Sequence, residues 1–355
     1  MRFIGNKENL VEKIYQIMQS KAINGNSFFD FFAGTTNVGR FFKKLDYQVY
    51  SSDLLYFSYI LQRAYIQNNQ DLTFDKLLKN INIKSNSLFA TPLNLVVEYL
   101  NNLDITEGFI YQNYTPEGTA NLELPRMYFN NENGKIIDTI RQQIENWKNN
   151  ELIIENEYFA LLACLIETVP FYANVSGVYA AFQKQWDPRA VKKIQLRPIE
   201  TVKNNKQNFS YNDNSVNLLE QVNADIFYLD PPYNQRQYAP NYHLMETIAK
   251  YDNPEIKGVS GMRNYENQKS LFCNSENGLQ ELHKIAKNGK YKTLILSYNT
   301  EGIMPKQKII SVLEQFGTVE LVEFDYLRFK SNSNSDSKHK KYIQEQLFIL
   351  RKNEK

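Results

Sequence analysis

Cysteine and histidine are scarce in this chain of 355 residues, which holds two cysteines, Cys164 and Cys273, and three histidines, His243, His283 and His339. Their spacing fits no metal-ligand pattern, so neither a zinc site nor a disulfide framework is expected. Long apolar runs are missing too. The most apolar stretch, Tyr158 to Ala173, is broken by Glu167, Thr168 and Pro170; it is too short to cross a bilayer and reads as a buried helix. Met1 to Lys7 leads straight into an amphipathic pattern with Glu8 and Glu12. With no apolar signal region or cleavage site there, the expected location is the cytoplasm, with no membrane partner. Neither sign of charge dominates: 41 Lys and Arg stand against 39 Asp and Glu, for a net charge of +2. Any contact with nucleic acid must therefore come from local clustering. What the chain does have is 42% hydrophobic and 14% aromatic residues, the composition of a folded protein with core enough for one large domain or two.

Hydrophobic periodicity gives the outline. Leu10, Ile14, Ile17 and Met18 recur at helical spacing, and the aromatic run Ser27 to Phe32 reads as a buried strand. A helix over 38–45, a strand over 47–53 and a helix over 56–68 continue a β-α-β-α alternation, which implies an α/β fold with helices covering a parallel sheet. From Asp71 to Asn205 the alternation lapses into helical patches, such as Ile137, Ile140, Ile144 and Trp147. Strand patterns resume at 224–229 and 293–298, and two late strands, 319–327 and 346–350, flank a Ser/Asn/Lys stretch, Ser331 to Lys341, with the composition of a mobile hairpin loop. The expected division is a first part over 1–70, an inserted domain over 71–205 and a second part over 206–355.

Directly after the strand ending at Leu229 comes Asp230-Pro231-Pro232-Tyr233. One reading is structural: paired prolines end a strand ladder in a rigid turn, and the aspartate caps the next helix. The other is chemical. An amine attached to an aromatic ring is a poor nucleophile because its lone pair is delocalised. A carboxylate on Asp230 and the carbonyl of Pro231 can each accept one amine hydrogen and draw the nitrogen towards tetrahedral geometry. The prolines hold both acceptors still, and the Tyr233 ring offers a stacking face for a flipped base.

On these residues the sequence resembles the S-adenosylmethionine-dependent amino-methyltransferases of DNA, in which an Asp-Pro-Pro-Tyr turn methylates the exocyclic amine of adenine. The motif order is similar to that of the alpha class, which includes Dam-type enzymes. The longer strings Asp230 to Tyr238 and Asn241 to Ile248 resemble members from type II restriction-modification systems. The resemblance implies a Rossmann-like, mostly parallel sheet of seven strands that ends in an antiparallel hairpin over 318–350, with a mainly helical target-recognition domain inserted. It implies S-adenosylmethionine as cofactor, S-adenosylhomocysteine as product, double-stranded DNA as partner and a cognate restriction endonuclease acting on the same site. Phe3 to Lys7 is similar to the family's N-terminal cofactor motif, making Gly5 and Lys7 candidates; read alone, the same residues are a helix entry. Asp30-Phe31-Phe32-Ala33-Gly34-Thr35-Thr36 resembles the Phe-x-Gly-x-Gly turn, which points to Asp30, Phe32, Ala33, Gly34 and Thr35 as cofactor contacts. Thr36 stands in place of the second glycine, a departure that narrows the pocket, shifts the cofactor or caps the next helix. Asp53, nineteen residues past Gly34, is placed to accept ribose hydroxyls or to act as a cap. Asp213, in the turn-forming pair Asn212-Asp213, stands where the family recognises the cofactor's adenine amine, and Asp230 borders the same pocket.

Lys184, Arg189, Lys192, Lys193, Arg197, Lys203 and Lys206 form a local positive stripe. Phosphate binding and a solvated helix face both explain it; the family's placement of its recognition domain favours DNA. Arg236 and Tyr238 follow the catalytic turn and are further candidates for DNA contact. Tyr238, Tyr242 and His243 are candidates for the flipped-base pocket, Tyr111 to Phe129 for base reading, and the basic loop Arg328 to Lys341 for phosphate contact. The competing activities are methylation of the cytosine exocyclic amine, which in the family usually goes with Ser in place of Asp at the first position of the turn, and an inert DNA-binding specificity subunit, suggested by Thr36.

Overall fold

The structure, a computed structural model, describes residues 6–82, 90–327 and 342–352. Gly5, the Ser331 to Lys341 loop and the basic stretch from Arg328 lie outside the described residues. Those described divide into two compact units, one comprising 63–201 and 239–266, the other 6–62, 202–238 and 267–352. Residues 239–266 group with the first unit although they follow the Asp230 to Tyr233 turn in sequence.

The second unit is built on seven strands: β1 (Ser27–Asp30), β2 (Gln48–Ser52), β3 (Phe209–Tyr211), β4 (Ile226–Leu229), β5 (Thr293–Asn299), β6 (Gly317–Leu327) and β7 (Tyr342–Lys352). Their order across the sheet is β3-β2-β1-β4-β5-β7-β6. The first five are parallel to one another, while β7 runs antiparallel to both β5 and β6. Gly317 faces Lys352 at one end of the hairpin and Leu327 faces Tyr342 at the other.

Why the central strands read as unbroken apolar runs is plain from their burial. Every residue of β4 and of β5 is buried, as strands covered on both faces require. On one face Phe28 stacks on Phe42 of the helix Asn37–Lys44, ring centroids 3.8 Å apart. On the other, Phe29, Phe31 and Phe227 pack with Leu282, Ile285 and Leu294. The sheet, its α/β character and the antiparallel end match the expectation. β3 was not legible: three half-buried residues are too few to show a period. The helix expected over 56–68 is α-helical only over Tyr56–Leu61 and turns π-helical over Gln62–Gln67.

The first unit is mainly helical, with helices at Pro92–Asn101, Phe109–Tyr114, Asn131–Asn149, Glu155–Thr168 and His243–Lys250, and a two-stranded ribbon of Ile256–Lys257 with Met262–Arg263. Thr91 and Asn130 cap two of them, accepting from the backbone N–H of Asn94 and Asn133 at 3.2 and 2.7 Å. Ile137, Ile140, Ile144 and Trp147 line the buried face of Asn131–Asn149. The apolar stretch near Tyr158 forms Glu155–Thr168, buried along most of its length. Among the described residues no helix is long and apolar enough to cross a membrane.

The Phe227 ring lies 5.0 Å from those of Phe31 and Tyr291 and 5.4 Å from that of Phe29. Phe227→Ala is expected to lower stability by about 3–5 kcal/mol, seen as a lower urea midpoint with an unchanged slope.

Candidate active site

In the second unit the chain leaves β1 towards β2 on one side, whereas β4 is followed by β5 on the other. Their carboxyl ends form the switch point at which an open α/β sheet offers a crevice. The loop after β1 stays in register with β4, since Phe31 N–H donates to the Tyr228 carbonyl at 3.0 Å. Past Leu229, Pro231 and Pro232 carry no N–H, so the ladder stops and Asp230 projects from its end.

Asp230 does not stand alone. The Tyr233 hydroxyl donates to its Oδ1, and the Lys7 ammonium lies 3.4 Å from the same oxygen. Lys7 Nζ also donates to the Tyr233 hydroxyl and, at 2.6 Å, to Glu345 Oε1 on β7. Ser297 Oγ of β5 donates to that same Glu345 oxygen at 2.6 Å. Lys7 is only 5% exposed and the Asp230 side chain 14%. Burial pulls the Lys7 ammonium down, but Asp230 and Glu345 outweigh it and the net shift is upward. For Asp230, burial raises the carboxyl to about 6, with Lys7 lowering and Glu345 raising it.

Local structure accounts for the placement of Lys7. Its carbonyl accepts the N–H groups of Leu10 and Val11 at 2.8 and 2.9 Å, opening the helix Val11–Ser20. Asn6 accepts from Asn37 Nδ2 at 2.6 Å. Lys7 is thus a helix entry through its backbone, while its ammonium is engaged by Glu345, Asp230 and the Tyr233 hydroxyl. The Tyr233 ring stands edge-on to Tyr298 at 5.2 Å. Glu345 and Ser297 were missed in the sequence; the available signal was a carboxylate opening the apolar run Gln346 to Leu350.

The turn after β1 carries the second group of candidates. Asp30 is 1% exposed, and no hydrogen bond of ordinary geometry reaches its carboxylate oxygens. Burial first, then the Asp230 charge, raises its carboxyl to about 8, although the backbone N–H groups of Phe32 and Gly39 pull it down. Gly34 (φ +48°) and Thr36 (φ +64°) both take left-handed backbone, so the position expected for a second glycine keeps the conformation glycine favours. Thr36 does not cap the helix Asn37–Lys44: its side chain makes no cap bond, and its Oγ1 is buried without a partner. Ala33 N–H donates to the Ser52 carbonyl at 3.0 Å. Thr35 Oγ1 accepts from Asn37 at 3.3 Å, and the Phe32 ring meets Phe272 edge-on at 5.3 Å. Asp53 accepts from Gly34 N–H at 2.8 Å and Leu55 N–H at 2.9 Å, tying the end of β2 to the turn. Asp213, exposed past the end of β3, accepts from Asn214 N–H and Asn217 Nδ2 at 2.6 and 2.8 Å. Buried orphan acceptors beside a left-handed turn at the switch point suit a ligand that brings donors and positive charge, as S-adenosylmethionine does.

The remaining candidates spread over both units. Lys184, Arg189, Lys192, Lys193 and Arg197 lie in the first unit, on a segment without helix, so the helix-face explanation of the stripe fails. Arg189 forks onto Asp187 at 2.6 Å and Lys193 approaches Glu132 at 3.4 Å; Lys184, Lys192 and Arg197 are exposed. Lys203, Lys206, Arg236 and Tyr238 belong to the second unit, with Arg236 exposed just past the Asp230 to Tyr233 turn. Tyr242 and His243 do not line an open pocket: both are fully buried, and His243 Nε2 hydrogen-bonds the Tyr179 carbonyl at 2.8 Å. Burial lowers the imidazole to about 4. The aromatics of the proposed base-reading span, Tyr111, Tyr114, Tyr128 and Phe129, are core residues as well. Among the described residues no cluster of His, Cys, Asp and Glu could hold a metal ion.

The chain is similar over nearly its whole length to several known proteins. Type II methyltransferase M.FokI of Planomicrobium okeanokoites is 40% identical over 359 residues, covering 99% of this chain and 53% of its own length. Modification methylase StsI of Streptococcus sanguinis is 36% identical, covering 99% of this chain and 52% of its own length. The chain thus spans about half the length of these two relatives. Type II methyltransferase M.NlaIII of Neisseria lactamica is 35% identical, with 96% of each chain covered. Residues 3–312 match the family model for the D12 class, and the chain belongs to the D12 class of N6 adenine-specific DNA methyltransferases.

Proposed function

We propose that the chain is a site-specific DNA methyltransferase that moves a methyl group from S-adenosylmethionine to the exocyclic amine of a flipped-out adenine in duplex DNA. Its setting is the cytoplasm, in a type II restriction-modification system with a cognate endonuclease, a reading in keeping with relatives named type II methyltransferase and modification methylase. The observation that carries the reading is a largely enclosed Asp230 carboxylate on a proline-locked turn, braced by Lys7 and Tyr233, with the buried Asp30 at the end of the neighbouring strand.

When bound, S-adenosylmethionine supplies an electrophilic methyl group on a positively charged sulfur. Asp30 holds the donor's ammonium, Asp53 its ribose hydroxyls and Asp213 its adenine amine, while Phe32, Ala33, Gly34 and Thr35 shape the turn around it. Tyr233 and Lys7 fix Asp230 through Oδ1, so that Oδ2 and the Pro231 carbonyl accept the two hydrogens of the target amine and localise its lone pair. The amine becomes acidic only once methylated, so no strong base is required, and a carboxylate near 6 can take the released proton. Lys184, Arg189, Lys192, Lys193 and Arg197, with Arg236 and Tyr238, contact the DNA, and the first unit is the target-recognition domain.

Asp230→Ala is expected to retain donor and DNA binding while single-turnover formation of methyladenine falls about 10²- to 10³-fold, measured with labelled S-adenosylmethionine on unmethylated duplex. An inert binder would show no label with the wild type either. The raised Asp230 carboxyl sets the pH dependence: its charged form is lost as pH falls through about 6, so the rate should drop roughly tenfold per unit below that point rather than below about 4. Asp30, raised to about 8, is largely protonated at neutral pH, and an ammonium ligand favours its charged form. Titration calorimetry at pH 7 in buffers of different ionisation enthalpy should show release of nearly one proton as the donor binds, and no such release in Asp30→Asn.

A further inference from the structure

We propose that Glu345 is a positioning residue for methyl transfer: by holding Lys7 it keeps the ammonium from saturating Asp230, leaving that carboxylate free to accept the target amine's hydrogens. The inference rests on the methyl-transfer reading above.

The charges in this part of the second unit are unequal in number. Lys7 supplies one positive charge, and Asp230 and Glu345 each supply a negative one. The ammonium sits closer to Glu345, at 2.6 Å, than to Asp230, at 3.4 Å. Glu345 is itself pinned, since Ser297 Oγ donates to its Oε1 at 2.6 Å. Antiparallel pairing produces this contact: Glu345 faces Asn299 across β7 and β5, and Ser297 lies two residues back on the same face. Glu345 is 1% exposed, so its charge acts with little solvent screening.

Groups from every neighbouring element bear on Asp230. Lys7 comes from the N-terminal segment, Asp30 from β1, Tyr228 from β4, Tyr233 from the turn and Glu345 from β7. Glu345 raises the Asp230 carboxyl and Lys7 lowers it, after burial has set the larger upward shift. With Glu345 uncharged, Lys7 would keep Asp230 as its carboxylate partner and move onto it. The acceptor would then be weaker and titrate lower, and the amine would have to compete with an ammonium for it.

The test uses the full chain as wild type, Glu345→Gln, Lys7→Met and the double variant, in single-turnover methylation of duplex DNA from pH 4.5 to 8.5. Glu345→Gln should bind donor and DNA within about twofold of wild type and lose about tenfold in rate. Its acid limb should move down by about one pH unit. Because Glu345 acts on the rate mainly by holding Lys7, the double variant should lose no more rate than Lys7→Met alone, while its acid limb lies slightly lower, since the direct repulsion of Asp230 by Glu345 is also gone. An unchanged rate and acid limb in Glu345→Gln, or losses that multiply in the double variant, would overturn the inference. Should Glu345→Gln fail to fold by circular dichroism, Ser297→Ala, which unpins Glu345, should move the limb in the same direction by a smaller amount, and an unmoved limb would count against the proposal. Carbon-13 NMR titration of the Asp230 carboxyl in wild type and variant reads the coupling without turnover. A wild type that forms no methyladenine would sink the reaction reading, while an Asp230 titration indifferent to Glu345→Gln would sink this one.

Discussion

Burying a carboxylate at the end of a strand, where two prolines remove the backbone donors that could satisfy it, is costly unless another part of the chain brings a countercharge. Asp230 is tolerated because Lys7 arrives from the N-terminal segment and Tyr233 folds its hydroxyl back onto the same oxygen. Lys7 in turn could not be buried against a single partner that must also serve a substrate, and Glu345 shares it. The site therefore requires the N-terminal segment, the turn after β4 and strand β7 to be in place together. The antiparallel end of the sheet is part of the proposed site: inserting β7 between β5 and β6 is what carries Glu345 to the ammonium.

The parts legible in the sequence were those with a strong local cause. β1, β4 and β5 announce themselves because strands buried on both faces are continuous apolar runs, and the Asp230 turn announces itself because paired prolines after such a run are rare. Glu345 and Ser297 were not legible, since what joins them is the register of β7 on β5, and register leaves no local mark where the facing stretches, Glu345 to Leu350 and Thr293 to Asn299, are buried on both faces. Tyr242 and His243 show the opposite failure. Nearness to the catalytic turn suggested a pocket, but every residue from Tyr242 to Ala249 is buried in its own unit, and nothing about one aromatic or imidazole distinguishes core from cleft. The basic stripe was countable, but its lack of helix, and the pairing of Arg189 with Asp187 two residues away, were not.

The turn after β1 concentrates costs that a purely structural loop would avoid. Thr36 is β-branched yet sits at φ +64°, a conformation costing about 1–2 kcal/mol for a residue with a Cβ. Its hydroxyl is buried without a partner, and the Asp30 carboxylate six residues earlier is buried with no side-chain or cationic partner to offset its desolvation. The backbone around them is over-determined: Thr36 N–H donates to the Ala33 carbonyl at 2.6 Å, Arg40 N–H to the Thr36 carbonyl at 2.8 Å, and Gly34 N–H to Asp53 at 2.8 Å. Such bracing lets the chain hold a strained turn and unsatisfied acceptors that would otherwise relax. It also explains how threonine can replace glycine without loss of the turn, which removes the reason to read that replacement as a mark of lost catalysis. A ligand bearing donors and a positive charge would satisfy groups the fold has already desolvated, so part of the cost of shaping the site is met in folding and recovered on binding.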